Sequence, residues 1–458
     1  MRYLLFFLFL ILLAGAVVFA QERILFCDAS FILTEILNAG SLHIQEHRYG
    51  AFITQMVPLL AGKAHLPLKD IVLLYSISFN LFYLIVASVI IFRFKNIKLA
   101  ILMAFYYTLF VSDSYFWTNN EIHQAIAWMF LLFGIVLHFK RQYPFFIHLL
   151  VFLVLCFLAV FTHPILVIIF PFMWVYFFLE KEEWPYNKRE TITLSLLMLI
   201  ICIVKYCLML YADYDAHKVR SATHFSFKDI ITSFSSDMMK TMGIKLITNY
   251  FFVPILFIIG TIAGVRVGKK KQVWLVIIFT FVYVLMTSLT FPTFTTFYIE
   301  SEWMPLSIIA TILFVYRTLP KVKPHLAIAL LSIILLVRIG YIIQAAQKFT
   351  ERKEWIFATL DKMKAQDITK GYLYENGKTN NLLLINWGTP MESLLASAIK
   401  GDKPNRTFVV DDPEELKTRI PDTKKEIISS FEVWHSSHFN MVYFQIDTNS
   451  LYLFINAE

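Results

Sequence analysis

Six side chains able to exchange protons or hold an anion crowd into one short stretch. Asp28, Glu35, His43, Glu46, His47 and Arg48 lie within about twenty positions, in "QERILFCDASFILTEILNAGSLHIQEHRYG", residues 21–50. This stretch directly follows an almost unbroken apolar run at 3–20. Asp28 stands a few residues past the end of that run. A carboxylate at the edge of an apolar layer is partly desolvated, which raises its pKa and suits it to act as a general base. Asp28 also suits a second job, because Asp before "ASFILTE" is a good helix N-cap. "ASFILTEILNAGSLHI" is amphipathic and is expected to lie along a membrane interface.

Other chemistry is sparser. Asp213 and Asp215 form "DYD", a D-x-D spacing that can hold a divalent cation. Glu300 and Glu302 open a late apolar run, where they either face a cavity or mark its polar edge. His435 and His438, in "HSSH", read as surface residues. The four cysteines, Cys27, Cys156, Cys202 and Cys207, contain no C-x-x-C pair and three lie in apolar runs. Neither a disulfide framework nor a zinc knuckle is expected, and Cys27 reads as a small apolar residue. The chain has no P-loop, G-x-S-x-G or H-E-x-x-H motif.

The elements that must position these groups are set by composition. Of 458 residues, 58% are hydrophobic and only 16% charged, against about 25% charged in a soluble globular chain. The chain reads as a polytopic membrane protein. Its net charge of +8 therefore reads as basic cytoplasmic loops, not as nucleic-acid binding. Apolar runs fall at 3–20, 71–92, 99–112, 122–139, 144–162, 165–179, 191–211, 246–265, 273–290, 303–316 and 325–345. Backbone groups in lipid must pair internally, so these runs should be helices. About eleven transmembrane helices are expected.

Charge orients them. Arg2; Arg93, Lys95 and Lys98; Lys140 and Arg141; Lys181, Lys188 and Arg189; Arg266, Lys269, Lys270 and Lys271; and Arg317, Lys321 and Lys323 fall in alternate connections. These read as cytoplasmic, with the N-terminus inside and the C-terminus outside. Arg2, the apolar run and "VVFA" also fit a cleavable signal peptide. The outer face then carries 21–70, 112–124, 212–245 and 291–305. The expected organisation is an all-α transmembrane domain over 1–345 and a small extracytoplasmic α/β domain over 346–458. Strand-like runs in the latter are "NLLLINW", "RTFVVDD" and "MVYFQID"; helix-like runs lie at 350–365 and 390–400.

This layout resembles the GT-C class of integral-membrane glycosyltransferases, which includes protein mannosyltransferases and lipid A aminoarabinose transferases. The matching pieces are Asp28 just after the first span, the amphipathic stretch behind it, "EHRYGAFITQMVPLLAG", "TNNEIHQA" and "FTHP". The resemblance implies a bacterial inner (plasma) membrane enzyme of glycan biosynthesis. It would move a sugar from a polyprenyl-phosphate carrier to an extracytoplasmic acceptor. It implies Asp28 as catalytic base, Glu121 as a second carboxylate and His163 in substrate binding. The chain departs from the mannosyltransferases in one respect: Asp28 is followed by Ala29 where they have a paired Asp-Glu.

The implied mechanism needs a base for the acceptor hydroxyl and cations for the leaving phosphate. Arg338 and Lys205 are intramembrane candidates for the second role, since charge at membrane depth is costly and often functional. Snorkelling to the interface is the alternative for both. Arg48 and Glu302 are further substrate-binding candidates, and Lys218, Arg220 and His224 are outer-loop cations. No cofactor is required; a divalent cation is the one metal for which a motif exists. O-antigen ligases and polymerases use the same carrier but usually keep a large outer loop between late spans. Transporters tend toward paired halves and broken spans, whereas here the titratable groups gather at one face.

Overall fold

The computed structural model describes residues 1–138, 144–211, 216, 220 and 225–456. Among the described residues, seven helices are long and apolar enough to cross a membrane: Leu68–Arg93, Glu121–His138, Phe145–Thr162, Lys188–Tyr211, Lys270–Thr290, Thr296–Lys321 and Pro324–Ala365. An eighth span forms if Asp237–Thr248 and Phe252–Arg266, bent by 78°, count together. The protein is a multi-pass membrane protein with a small C-terminal α/β region. Three further runs of the expected eleven are helical but short: Arg2–Val18, Ile97–Tyr106 and Leu166–Leu179. At 1.5 Å per residue, the 10 residues of Ile97–Tyr106 cover about 15 Å, half of a hydrocarbon core.

Helix Lys188–Tyr211 shows how sequence and packing divide here. Thr191, Leu194, Met198, Cys202 and Lys205 are buried at helical spacing, while Ile192, Leu196, Leu199 and Ile203 are about half exposed. Both faces are mainly apolar because the outer one meets lipid, not water. Helix Thr296–Leu313 differs: almost all of it is buried, including Glu300 and Glu302.

The connections sort into two ends. At one end Lys98 pairs with Glu183 (2.5 Å), and Lys269 (3.6 Å) and Arg317 both pair with Glu180. At the other end Arg48 pairs with Glu121, Lys348 with Asp113, and Phe26 packs on Phe297. Basic residues from three of the short loops, Lys98, Lys269 and Arg317, are thus joined through the Glu180–Glu183 turn, apart from the Arg48 and Glu121 pair.

The C-terminal region does not begin after a separate span. Helix Pro324–Ala365 runs unbroken across position 345, so the expected boundary lies inside one element. Beyond it, β1 (Lys370–Tyr374) pairs in parallel with both β2 (Thr407–Asp411) and β5 (Leu453–Phe454). A separate antiparallel pair joins β3 (Glu426–Ile428) to β4 (Val433–His435). Helix Thr389–Lys400 packs on β2, on the last span and on helix Asp28–Ala39.

Of the expected strands only "RTFVVDD" is one. "NLLLINW" opens inside helix Gly377–Leu383, where Asn376 caps the backbone N–H groups of Lys378 and Thr379. "MVYFQID" contributes only an isolated bridge, Asn405 to Ile446. Short apolar runs do not distinguish strand from helix, and in these two cases local capping and the neighbouring chain decided.

Candidate active site

The chain leaves helix Ala20–Ile24 through a turn that ends in a rare backbone state. Cys27 has φ 49° and ψ −128°, and the next residue, Asp28, opens helix Asp28–Ala39. A non-glycine residue at positive φ costs about 1–3 kcal/mol and persists where its surroundings over-determine it. Asp28 is not the N-cap: that position belongs to Cys27, and no side chain caps the helix. Instead Oδ2 of Asp28 accepts a hydrogen bond from Trp117 Nε1 at 2.7 Å. The helix does not lie open on the interface either. Ala29 to Leu37 are all buried, because the C-terminal region covers the face expected to meet lipid headgroups.

Arg48 and Glu121 meet next to Asp28, with Nη1 of Arg48 at 2.8 Å from Oε2 of Glu121. Glu121 begins its span and Arg48 precedes a short 3₁₀ turn at Tyr49–Ala51. Gly50 lets that turn approach: a Cβ there would sit 2.7 Å from the carbonyl of Leu158 and overlap Thr162 Oγ1. Trp128 Nε1 donates to the Gly50 carbonyl at 3.1 Å and pins the turn. Burial pushes the Asp28 carboxyl up to about 6, and the charge of Glu121 adds to the rise; the Trp117 hydrogen bond and Arg48 oppose it.

Asp28, Arg48, Glu121, His163 and Glu302 all line one cavity of about 560 Å³. His163 follows helix Phe145–Thr162 in an extended conformation, as expected of a residue before proline. Its Nδ1 accepts from the backbone N–H of Ile165 at 3.2 Å, which leaves Nε2 as the protonated nitrogen of the neutral ring. Glu302 comes from the buried helix Thr296–Leu313.

Two expected phosphate ligands stand elsewhere. Lys205 is buried one layer behind the cavity and donates to the carbonyl of Glu46, a lining residue, at 3.1 Å. Arg338 lines no part of the cavity. Its guanidinium donates to the carbonyls of Thr108 (3.0 Å), Val111 (2.8 Å) and Asn249 (2.5 Å). It is fully buried, so it does not snorkel, and its guanidinium faces these carbonyls rather than the cavity. It meets carbonyls that follow the ends of helices Ile97–Tyr106 and Asp237–Thr248, of which that of Thr108 also accepts the Val111 N–H.

Glu300 is a buried acceptor, not a cavity group: Ser112, Ser114 and Tyr250 all donate to it. His438 is exposed, as expected, and its Nε2 lies 3.0 Å from Glu35 Oε1; His43 Nδ1 lies 3.5 Å from the other oxygen. His435 is exposed and caps Ser437. Arg220 is exposed. Asp213, Asp215, Lys218 and His224, with Lys140 and Arg141, lie outside the described residues. Among the described residues no three His, Cys, Asp or Glu side chains group as a metal ion would need.

Several lining residues carry no sequence signal. Trp117 and Tyr298 stack at 4.9 Å, and Phe297 packs edge-on against Trp117. The opposite wall comes from the C-terminal region: Ile385, Trp387 and Phe431, the last two stacked at 5.0 Å. Trp117, Phe297 and Tyr298 lie in the outer pieces 112–124 and 291–305, so the outer loops contained them without marking them, whereas Trp387 and Phe431 lie in the C-terminal region. The arrangement offers a proton acceptor beside a cation in an aromatic-walled space. Compared with known families, characterised proteins and solved structures, the chain matches none.

Proposed function

We propose that this chain is a membrane glycosyltransferase of the GT-C kind. It would transfer a sugar from a polyprenyl-phosphate carrier to an acceptor hydroxyl outside the cytoplasm. The observation that carries the reading is the convergence of Asp28, Arg48, Glu121 and His163 on one cavity, from three separate stretches of the sequence. In this reading the acceptor oxygen attacks C1 of the sugar as its proton passes to Asp28. The bond from C1 to the phosphate oxygen breaks, and the configuration at C1 inverts. The electron pair leaves with the polyprenyl phosphate, whose charge Arg48 faces and His163 Nε2–H can donate to. Glu121 holds Arg48 in place. Lys205 stays behind the Glu46 carbonyl as support for that loop.

In the same reading the chain passes the membrane eleven times, the short helix Ile97–Tyr106 being completed by the buried turn residues 107–111 that follow it. The cavity and C-terminal region would then lie outside, opposite the basic end. Supporting this placement is the separation of the Glu180 and Glu183 ion pairs from the cavity end.

The test uses purified protein in proteoliposomes with short-chain polyprenyl-phosphate hexoses and pentoses, plus a bacterial envelope extract as acceptor source. Release of polyprenyl phosphate is followed by mass spectrometry. Release that falls by about 10²–10⁴-fold in Asp28→Asn is expected for a lost general base. No release from any donor, or undiminished release by Asp28→Asn, refutes the proposal.

A further inference from the structure

We infer that Glu392, on helix Thr389–Lys400 of the C-terminal region, is a positioning residue for Asp28, so that this region completes the site from 365 positions away. The inference builds on Asp28 as the reacting carboxylate, but its test does not depend on transfer.

Glu392 is fully buried and its two oxygens are divided. Oε1 accepts the backbone N–H of Cys27 at 2.6 Å, and Oε2 accepts from Arg352 Nη2. Arg352, also buried, spends its other donors on the carbonyls of Leu25 and Leu383, both at 2.9 Å. The pair therefore grips residues 25–27 from both sides, through one carbonyl and one N–H. A buried ion pair is a poor way to gain stability, because apolar side chains of similar volume do as well. An apolar pair, however, has no acceptor for the Cys27 N–H. That N–H belongs to the residue at φ 49°, whose conformation sets the direction in which Asp28 leaves the turn.

Gly388 makes the contact possible. A Cβ there would lie 2.5 Å from Glu392 Oε1 and 3.1 Å from the Cys27 Cα. Trp117 Nε1 then fixes the Asp28 carboxylate from the other side. Glu392 touches no cavity space and acts only through Cys27. Small displacements at a reacting group cost catalysis heavily, which is a reason to hold this turn with a charge.

Two variants separate positioning from folding. Arg352→Met combined with Glu392→Met removes both charges, keeps the bulk and leaves the Cys27 N–H without an acceptor. Gly388→Ala keeps both charges and wedges a methyl group into the contact. The probe is dicyclohexylcarbodiimide, which reacts with protonated carboxyl groups in apolar surroundings. Its attachment to Asp28 is read by mass spectrometry on full-length protein in detergent, across a pH series. Gly388→Ala should unfold within a few degrees of wild type, while the double variant, which also leaves the carbonyls of Leu25 and Leu383 without their donor, should unfold lower. Both, while folded, should move the labelling midpoint down by about one pH unit, toward the ordinary carboxylate value. A folded variant with the wild-type midpoint overturns the inference. A measurement on the wild type stands beside these in case the variants unfold: the Cys27 amide should exchange with deuterium slowly. Exchange as fast as in open loops overturns the inference as well. Labelling needs no turnover, so these results stand even if Asp28 proves not to be a base.

Discussion

At the scale of the residue, Asp28 carries the pH behaviour of the site. Its carboxyl is raised from 3.8 to about 6, by burial first and then by Glu121. A base must be ionised to act, so transfer should rise with pH up to about 6 and level off above it, as an initial-rate series would read. The sign for stability is the reverse. The folded state holds the proton more tightly than the unfolded chain, so this stabilisation is full below 3.8 and lost as pH rises through about 6. Two pH units correspond to about 3 kcal/mol. Asp28→Asn removes the ionisation and can still accept from Trp117. The variant should melt like wild type in acid and higher than wild type above about pH 6. A melting difference that does not change with pH would mean that Asp28 keeps an ordinary pKa.

At the scale of the element, Arg338 ties the last span to the chain after the short helix Ile97–Tyr106 and to the bend between Asp237–Thr248 and Phe252–Arg266. Arg338→Met would leave the carbonyls of Val111 and Asn249 without their donor and that of Thr108 with the Val111 N–H alone. Each unmet buried group costs about 1–3 kcal/mol. A large drop in thermal stability in detergent is expected, with transfer per folded molecule close to wild type. A variant that melts normally but loses donor binding would instead return Arg338 to the phosphate. The span thus gains its register from a side chain that sequence alone singled out for chemistry.

At the scale of the whole molecule, the two ends of the bundle predict a topology. Alkaline phosphatase fused after Ala365, at the end of the last span, should be active. The same reporter fused near Lys270, beside the Glu180 cluster, should be inactive. The opposite pattern would put the cavity and its acceptor in the cytoplasm and overturn the proposed reaction. The fusion after Ala365 keeps the long helix whole, which a fusion at 346 would not.

Composition and charge alternation determined the membrane class, the helical state of the apolar runs and the sorting of acidic from basic loops. Those properties follow from what lipid demands of each segment separately. The same reasoning reached Asp28, Arg48 and Glu302, because charged groups beside apolar runs stand out, while Glu121 and His163 came from the GT-C resemblance. It could not separate them from Arg338, since a buried cation that closes carbonyls and one that binds phosphate look alike in one dimension. It also missed Trp387, Phe431 and Glu392. Their places depend on how β1 and β2 set helix Thr389–Lys400 against the turn at Cys27, and no local pattern records a contact spanning 365 positions. Only the tertiary structure decided that the C-terminal region is one wall of the cavity, because packing between distant segments is a property of the pair and not of either sequence.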